Sequence, residues 1–430
     1  MKIALLSPPW SFQGSTYFGC RSPHLPLELG CCEALLRAAG HETMMLDGHF
    51  SDLDMAQMAA LVADFAPGMT VVTTAPSYLF WRCAQPELRV PRAMIEALDN
   101  KAGLVVGVGP HGSATPRPVL QKLGAHALVR GECEETILAL AEGGAPGEIA
   151  GTAVLRHGML HQSGGPVATE FTHLPALRWP DAWIARHAHH HHRFDGDIQG
   201  AGAEVEASRG CPYHCSFCAK IDFRDAYRRR DLPILLEEID ALIAQGVRYV
   251  YFIDEIFLPN RPLLEALAER PVKFGIQTRI DLFVPAMLEL LGRAGCVSIE
   301  AGVESLTQEG RASLDKQCRM TTDALAERLI EARRHVPFVQ ANLIQMRGDE
   351  APLVQAWRRR LQAAGVWANE PVPLYPYPSS PDYHRLFGAP DDRAWERAHA
   401  YYLDNFSQFS DIQDDAPVPL PALECACGAP

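Results

Sequence analysis

Apolar and polar positions along the chain fall into short blocks that alternate between two periods. KIALLS (residues 2–7) is a buried-type strand ended by Ser7, Pro8 and Pro9, because proline cannot continue a central ladder. LELGCCEALLRAAG then places Leu27, Cys31, Leu35 and Ala38 on one helical face, closed by Gly40. Strands follow at TMMLDG, MTVVTTA (Met69 to Ala75), GLVVGVG (from Gly103) and HALVRG (from His126). Helices fall at Met55 to Phe65, about Pro91 to Asn100, and Glu134 to Ala141. This alternation predicts an open, doubly wound parallel sheet over residues 1–145.

Residues 146–202 read as a linker with one small hairpin (GTAVLRHGMLHQ), an extended proline-bounded stretch (LPALRWPDAW) and a histidine tract at His187 and His189 to His192. Such a tract is either a metal site or an adventitious binder. From residue 203 the alternation resumes. A strand runs through Val205 to Ala207, and further strands are VRYVYFIDE, VKFGIQT, CVSIEAG, FVQANLIQM and NEPVPLYPYP. Helices span Leu232 to Gln245 and the stretches near 262–269, 285–294, 323–335 and 351–364. The prediction is an open (β/α)6 barrel over 203–375, followed by a C-terminal extension over 376–430. That extension holds a helix at 391–409 and a poorly ordered Pro-rich tail from 416.

The chemistry concentrates at Cys211, Cys215 and Cys218, spaced C-x₃-C-x₂-C in RGCPYHCSFC. A cubane 4Fe–4S cluster normally takes four thiolates, so three leave one iron open to another ligand. Two other readings compete: a zinc site with His214 as fourth ligand, and three inert buried thiols. The loop resembles that of the radical S-adenosylmethionine (SAM) superfamily. The resemblance implies that these three cysteines hold a 4Fe–4S cluster whose open iron chelates SAM, with Phe217 near the adenine. It also implies an electron donor such as flavodoxin or ferredoxin.

Polar residues crowd the carboxyl ends of the predicted barrel strands, where barrel active sites lie. They are Asp254, Glu255, Gln277, Thr278, Arg279, Glu300, Gly302, Glu304, Ser305, Gln345 and Arg347. The resemblance places Glu255 at the SAM amino group and Glu304 and Ser305 at its ribose or methionine portion, and Arg279 suits its carboxylate. Rim salt bridges are the competing reading. Tyr375, Tyr377 and Tyr383 either line a substrate site or pack the barrel mouth.

The first sheet's crevice is equally informative. Open sheets bind ligands beyond the carboxyl ends of their strands. There stand Ser7 and Pro9, Thr73, Thr74 and Ser77, Gly109, Pro110 and His111, and Gly131 and Glu132. No G-x-G-x-x-G follows the first strand, which argues against NAD. With the cysteine loop, this half resembles the Rossmann-like cobalamin-binding domain of cobalamin-dependent radical SAM proteins; GPHGSATP and VRGECEET carry the likeness. The D-x-H-x-x-G pattern is absent: Asp47-Gly48-His49 lacks the later glycine.

Charge and cysteine usage narrow the class. The 430 residues carry a net charge of −13 and no long apolar run, so neither nucleic acid binding nor a membrane span is expected. The Arg228 to Arg230 run reads as a solvated helix approach. Scattered cysteines suit a reducing cytoplasm. The resemblance implies a cobalamin-dependent radical SAM methyltransferase, acting through a 5′-deoxyadenosyl radical on an unactivated carbon of a small molecule or saccharide in biosynthesis. Rearrangement or oxidative cyclisation, and a non-catalytic cobalamin or redox sensor, are the alternatives.

Overall fold

Residues 1–15, 24–77, 84–187, 200–346, 349–405 and 417–425 of the chain are described, from a computed structural model. The first strands are β1 (Lys2–Ser7), β2 (Glu42–Asp47), β3 (Met69–Thr73), β4 (Leu104–Val108) and β5 (Ala127–Val129). They pair parallel in the order β2-β1-β3-β4-β5. Side-chain alternation along a strand serves two layers of helices. Ile3 and Leu5 pack with Leu29, Leu36, Ile137 and Leu140 of helices Leu27–Ala38 and Glu134–Ala141. Ala4 and Leu6 pack on the other side with Met58, Val62 and Met94 of helices Met55–Phe65 and Arg89–Ala97. Two helices not read from sequence, Pro110–Ala114 and Pro116–Leu123, fill the crossover from β4 to β5. Proline opens both, which suits a first turn whose N–H has no intrahelical partner.

The predicted linker hairpin is part of this sheet. Strands β6 (Thr152–Arg156) and β7 (Met159–Gln162) add antiparallel beyond β5, making the sheet seven-stranded and mixed. The rest of the linker is core. Phe171, Leu177, Trp179 and Trp183 join one apolar cluster with Leu25, Leu27 and Phe50 on one side and the second sheet on the other. Gly30 permits this: a Cβ there would lie 2.7 Å from the Trp179 ring.

The second sheet contains β8 (Ala201–Val205), β11 (Val247–Phe252), β12 (Lys273–Thr278), β13 (Cys296–Glu304), β14 (Phe338–Leu343) and β15 (Trp367–Ala368). All pair parallel in sequence order, from β8 at one edge to β15 at the other. This is the expected open (β/α)6 array. Its last strand precedes the predicted NEPVPLYPYP segment, of which only Val372 contributes, through a single bridge to Ile344. The prolines of that segment cannot donate to a ladder. Two further short strands, β9 (Ser208–Arg209) and β10 (Arg228–Arg229), pair antiparallel and pinch off the cysteine loop between them.

The C-terminal extension holds a helix within the expected 391–409 stretch and departs from expectation in its tail. Helix Ala394–Asp404 packs with Tyr375 and Tyr383, and Trp395 donates from Nε1 to Thr115 Oγ1 of the first domain at 3.0 Å. The tail expected to be poorly ordered forms helix Leu420–Cys425, in which Leu420 and Leu423 are buried against the first-domain core. Lys122 holds it through Glu424 at 2.8 Å and also pairs with Glu396. One turn sufficed to place two leucines on one face, too short a pattern for periodicity to register. Leu423→Ala is expected to cost about 2–4 kcal/mol by emptying that contact. Denaturant unfolding should show the loss, and limited proteolysis should cut the tail faster.

Candidate active site

The cysteine loop is fixed at its neck by a buried ion network. Arg209, the last residue of β9, is fully buried. Its Nε and Nη2 donate to the Glu206 carboxylate at 2.7–3.2 Å, and Nη1 donates to Glu134 at 2.5 Å and Glu132 at 3.3 Å. The guanidinium lies 4.7 Å from the Phe171 ring centroid. Glu132 and Glu134 follow β5, so the neck is tied directly to the carboxyl-end crevice of the first sheet. Arg224 extends the network, donating to Glu206 at 2.7 Å and Glu255 at 3.3 Å. Arg228 clasps Glu132 with both terminal nitrogens. Burial alone would raise the Glu206 pKa, but Arg209 and Arg224 outweigh it and hold the carboxyl at about 2.

The Arg228 to Arg230 run is therefore not a solvated stretch. Arg228 pairs with Glu132, and Arg230 is buried against Glu238 at 2.9 Å. Only Arg229 is exposed. Alternating β10 geometry and the pull of buried carboxylates turned two of the three inward, which a charge count cannot reveal.

Gly210 turns the chain out of β9 with φ 76°, and a Cβ there would lie 2.1 Å from the Ala226 carbonyl oxygen. Its N–H donates to Glu255 Oε2 at 2.8 Å. Cys211, Cys215 and Cys218 follow, all partly exposed. His214 is exposed. Burial raises the thiol pKa values, that of Cys218 to about 12, while backbone N–H groups of Tyr213 and Lys220 facing the Cys211 and Cys218 sulfurs work against it. Metal loading must therefore release protons. A single zinc would draw its ligands to within about 4 Å of one another. The three sulfurs are not among the described side chains whose ligand atoms gather within 4.8 Å. The loop's middle is pinned from the C-terminal extension. Ser216 donates to Asp382 Oδ2 at 3.1 Å, and Asp382 N–H donates to the Ser216 carbonyl at 2.8 Å. Both bonds anchor the loop to a segment far away in sequence.

The rim residues form a second group around the loop. Arg279 follows β12 and stacks on Tyr213 of the loop at 4.0 Å. Two of its nitrogens donate to Asp281, while Nη1 is buried with no partner among the described residues. A free guanidinium donor beside the cysteines is a ready carboxylate anchor. Glu304 closes β13 at φ 61° and pairs with the buried Lys316. Ser305 donates to Asp349 Oδ2 at 2.8 Å. Glu255 binds Gly210 and Arg224, so it braces the loop's neck. Phe217 is half-buried in the loop. Arg347 lies outside the described residues, and Gln345 donates its N–H to the Val372 carbonyl.

In the first sheet's crevice, Thr73 Oγ1 is buried with no partner among the described residues, which suits a polar ligand group. Thr74 and His111 meet at 3.2 Å, and His111 Nε2 lies 2.6 Å from the Gln85 carbonyl. His111 is wholly buried and tilted against Trp395, so it supports the crevice wall. Ser77 donates to Glu28, while Ser7 accepts from Trp10 at 3.3 Å and Pro9 packs on Gly48. Ser113 Oγ joins the loops after β4 and β5, donating to the Gly109 carbonyl and accepting from Gly131 N–H. Gly109 takes φ 139° just before Pro110. Glu132 is committed to Arg228 and Arg209. His49 is exposed beside Phe50. Arg209, Arg224, Lys316, Asp349 and Asp382 were missed by sequence reasoning. Only Arg209, adjoining Gly210 in the loop motif, carried a local signal.

Residues 205–350 match the family model described as the Radical SAM superfamily. That stretch, which holds the cysteine loop and most of the second sheet, is a radical SAM domain. The chain is 24% identical to an uncharacterized methyltransferase of Pyrococcus horikoshii, over 71% of its own length and 66% of the relative's. It is also 24% identical to an anaerobic magnesium-protoporphyrin IX monomethyl ester cyclase of Cereibacter sphaeroides, over 80% of its length and 56% of the relative's. It thus spans less than two thirds of either relative. Its fold is similar to that of the radical SAM methyltransferase TsrM from Kitasatospora setae, solved with cobalamin and a [4Fe-4S] cluster. The TM-score is 0.72 at 17% identity, over 95% of this chain and 86% of that one.

Two outcomes are expected from the neck geometry. Arg209→Met should cost about 3–5 kcal/mol, because it leaves buried Glu134 without a cation and Glu132 and Glu206 each with one fewer; denaturant unfolding of the full chain checks this. Gly210→Ala should fold with lowered iron and sulfide loading, since its Cβ cannot pass the Ala226 carbonyl. Iron and sulfide assays after anaerobic reconstitution would read the loss.

Proposed function

We propose that this chain is a cobalamin-dependent radical SAM methyltransferase that methylates an unactivated carbon of a small molecule or saccharide. The observation that carries the reading is the Arg209 network. It ties the neck of the three-cysteine loop to Glu132 and Glu134, at the carboxyl-end crevice of the first sheet. The neck of the cluster loop and the crevice proposed for the corrinoid are therefore neighbours, and we place the substrate between them. A substrate bound there would be reached from both sides.

Cys211, Cys215 and Cys218 supply the thiolates for a 4Fe–4S cluster. The unpartnered Arg279 Nη1 takes the SAM carboxylate, Phe217 lies against its adenine, and Glu304 and Ser305 serve its ribose or methionine portion. Glu255 takes the SAM amino group while also holding the loop's neck through Gly210 and Arg224. Thr73 offers a free hydroxyl to the corrinoid, with Ser7, Pro9, Thr74, Ser77, Gly109, Pro110, His111, Gly131 and Glu132 forming or bracing the crevice. When bound, the cluster and SAM supply radical generation and the corrinoid carries the methyl group. The protein's own task is to align these groups and exclude water. An electron donor such as flavodoxin or ferredoxin completes the set.

A second reading, radical cyclisation or rearrangement, is favoured by the cyclase among the relatives. The test begins with anaerobic reconstitution of the chain with iron, sulfide and hydroxocobalamin, followed by desalting. Retained corrinoid near one per chain is expected beside the cluster absorption. Incubation with SAM, reductant and candidate substrates should then give 5′-deoxyadenosine and S-adenosylhomocysteine, both lost in Cys215→Ala. 5′-Deoxyadenosine without S-adenosylhomocysteine would favour cyclisation or rearrangement. A chain that retains cluster but no corrinoid would sink the methyltransferase reading.

A further inference from the structure

Two carboxylates near the end of β8 lie two residues apart and are neutralised in different ways. Glu206 has Arg209 and Arg224. Glu204 is as deeply buried, yet no Arg or Lys among the described residues pairs with it. Its contacts among those residues are two imidazoles and one backbone group. His24 Nδ1 lies 2.8 Å from Oε1, His187 Nε2 lies 2.8 Å from both oxygens, and Leu25 N–H donates to Oε2 at 3.1 Å. The three side chains are 1–2% exposed. A buried carboxylate requires a compensating cation. Here that cation is either a proton on an imidazole or a metal ion.

We propose that His24, His187 and Glu204 form a structural zinc site that staples the first domain, the linker and the first strand of the second sheet. The three donors come from three segments: the approach to helix Leu27–Ala38, the end of helix Asp181–Arg186, and β8. Their ligand atoms all lie within 4.8 Å of one another. Two imidazole nitrogens and two carboxylate oxygens make four donors of the types zinc takes. Tetrahedral zinc at about 2.0–2.1 Å from each donor sets donors on different residues about 3.3 Å apart, so drawing each imidazole nitrogen back from the carboxylate by a few tenths of an ångström admits the ion, while the two carboxylate oxygens, held together by their shared carbon, span one narrowed angle. His187 is aimed at this point alone. Its Nδ1 has no partner among the described residues, and its ring lies face to face on Phe50, 5.7 Å away at 7°. Stacking fixes the orientation that a second hydrogen bond usually gives a ligating histidine. The deep burial leaves no open position for substrate, which marks a structural site.

His189 to His192 lie outside the described residues and are kept out of the test by substitution. The full-length chain carrying H189Q, H190Q, H191Q and H192Q would be reconstituted with iron and sulfide, supplied with Zn²⁺ and desalted. Zinc and iron would be counted separately by elemental analysis. About one zinc per chain is expected. Glu204→Gln or His187→Gln should weaken Zn²⁺ binding at least about 100-fold, beyond the usual loss from changing a residue that only supports a ligand, while iron loading persists. Should those variants fail to fold, Co²⁺ bound to the parent decides, through the intense visible bands of a four-coordinate N/O site. Several results would overturn the proposal: no retained zinc, zinc unchanged in folded Glu204→Gln, zinc lost with the histidine tract alone, or zinc that follows Cys211→Ala. A cobalt spectrum without four-coordinate bands would overturn it as well.

Discussion

Arg209 is the constraint on which the rest depends. A guanidinium with no solvent exposure survives only if each of its nitrogens meets an acceptor, and here the acceptors come from two domains. Glu206 lies beside it in the chain, while Glu132 and Glu134 come from the far end of the first sheet. Moving one domain against the other would strip a buried charge of its partners. The network therefore sets where the cysteine loop begins relative to the first sheet's crevice. Its value lies less in net stability than in permitting one geometry, since buried ion pairs repay little more than their desolvation.

The loop is held at three places, each by a different part of the chain. Arg224, Gly210 and Glu255 hold the neck. Arg279 stacks on Tyr213 from the rim of the second sheet. Asp382 reaches Ser216 from the C-terminal extension. That extension then crosses to the first domain, where Trp395 meets Thr115 and Lys122 meets Glu396 and Glu424. It acts as a strap across both halves. Residues that look like separate features of the sequence thus share one mechanical role, which is to keep three thiols in a fixed place before any cofactor is bound.

Some of this architecture was legible in the sequence. Helix Met55–Phe65 and strand Lys2–Ser7 coincide with their hydrophobic patterns, because burial on one face imposes a period that residue types must follow. The second sheet's strand order follows from strict alternation of strand and helix. Less legible were elements whose stability comes from elsewhere. The hairpin at β6 and β7 has a strand pattern but no local sign of the sheet edge it would join. Helix Leu420–Cys425 is six residues long and exists by docking two leucines. The two-residue β15 is set by its pairing to β14.

By itself the sequence determined the types of element, the two alternating arrays and the identity of the three thiols, since periodicity and short spacing are properties of neighbours along a chain. Only the tertiary structure decided the charges. Glu255, expected at the SAM amino group, also braces Gly210 and Arg224; Arg228 and Arg230 were expected in solvent and are paired with Glu132 and Glu238. It also brought His24 and His187 to Glu204 across a separation of 180 residues for the first of them. A charged side chain's role depends on what dielectric surrounds it and which opposite charge lies within a few ångströms. Both are set by packing between distant segments, and neither is written into the local sequence.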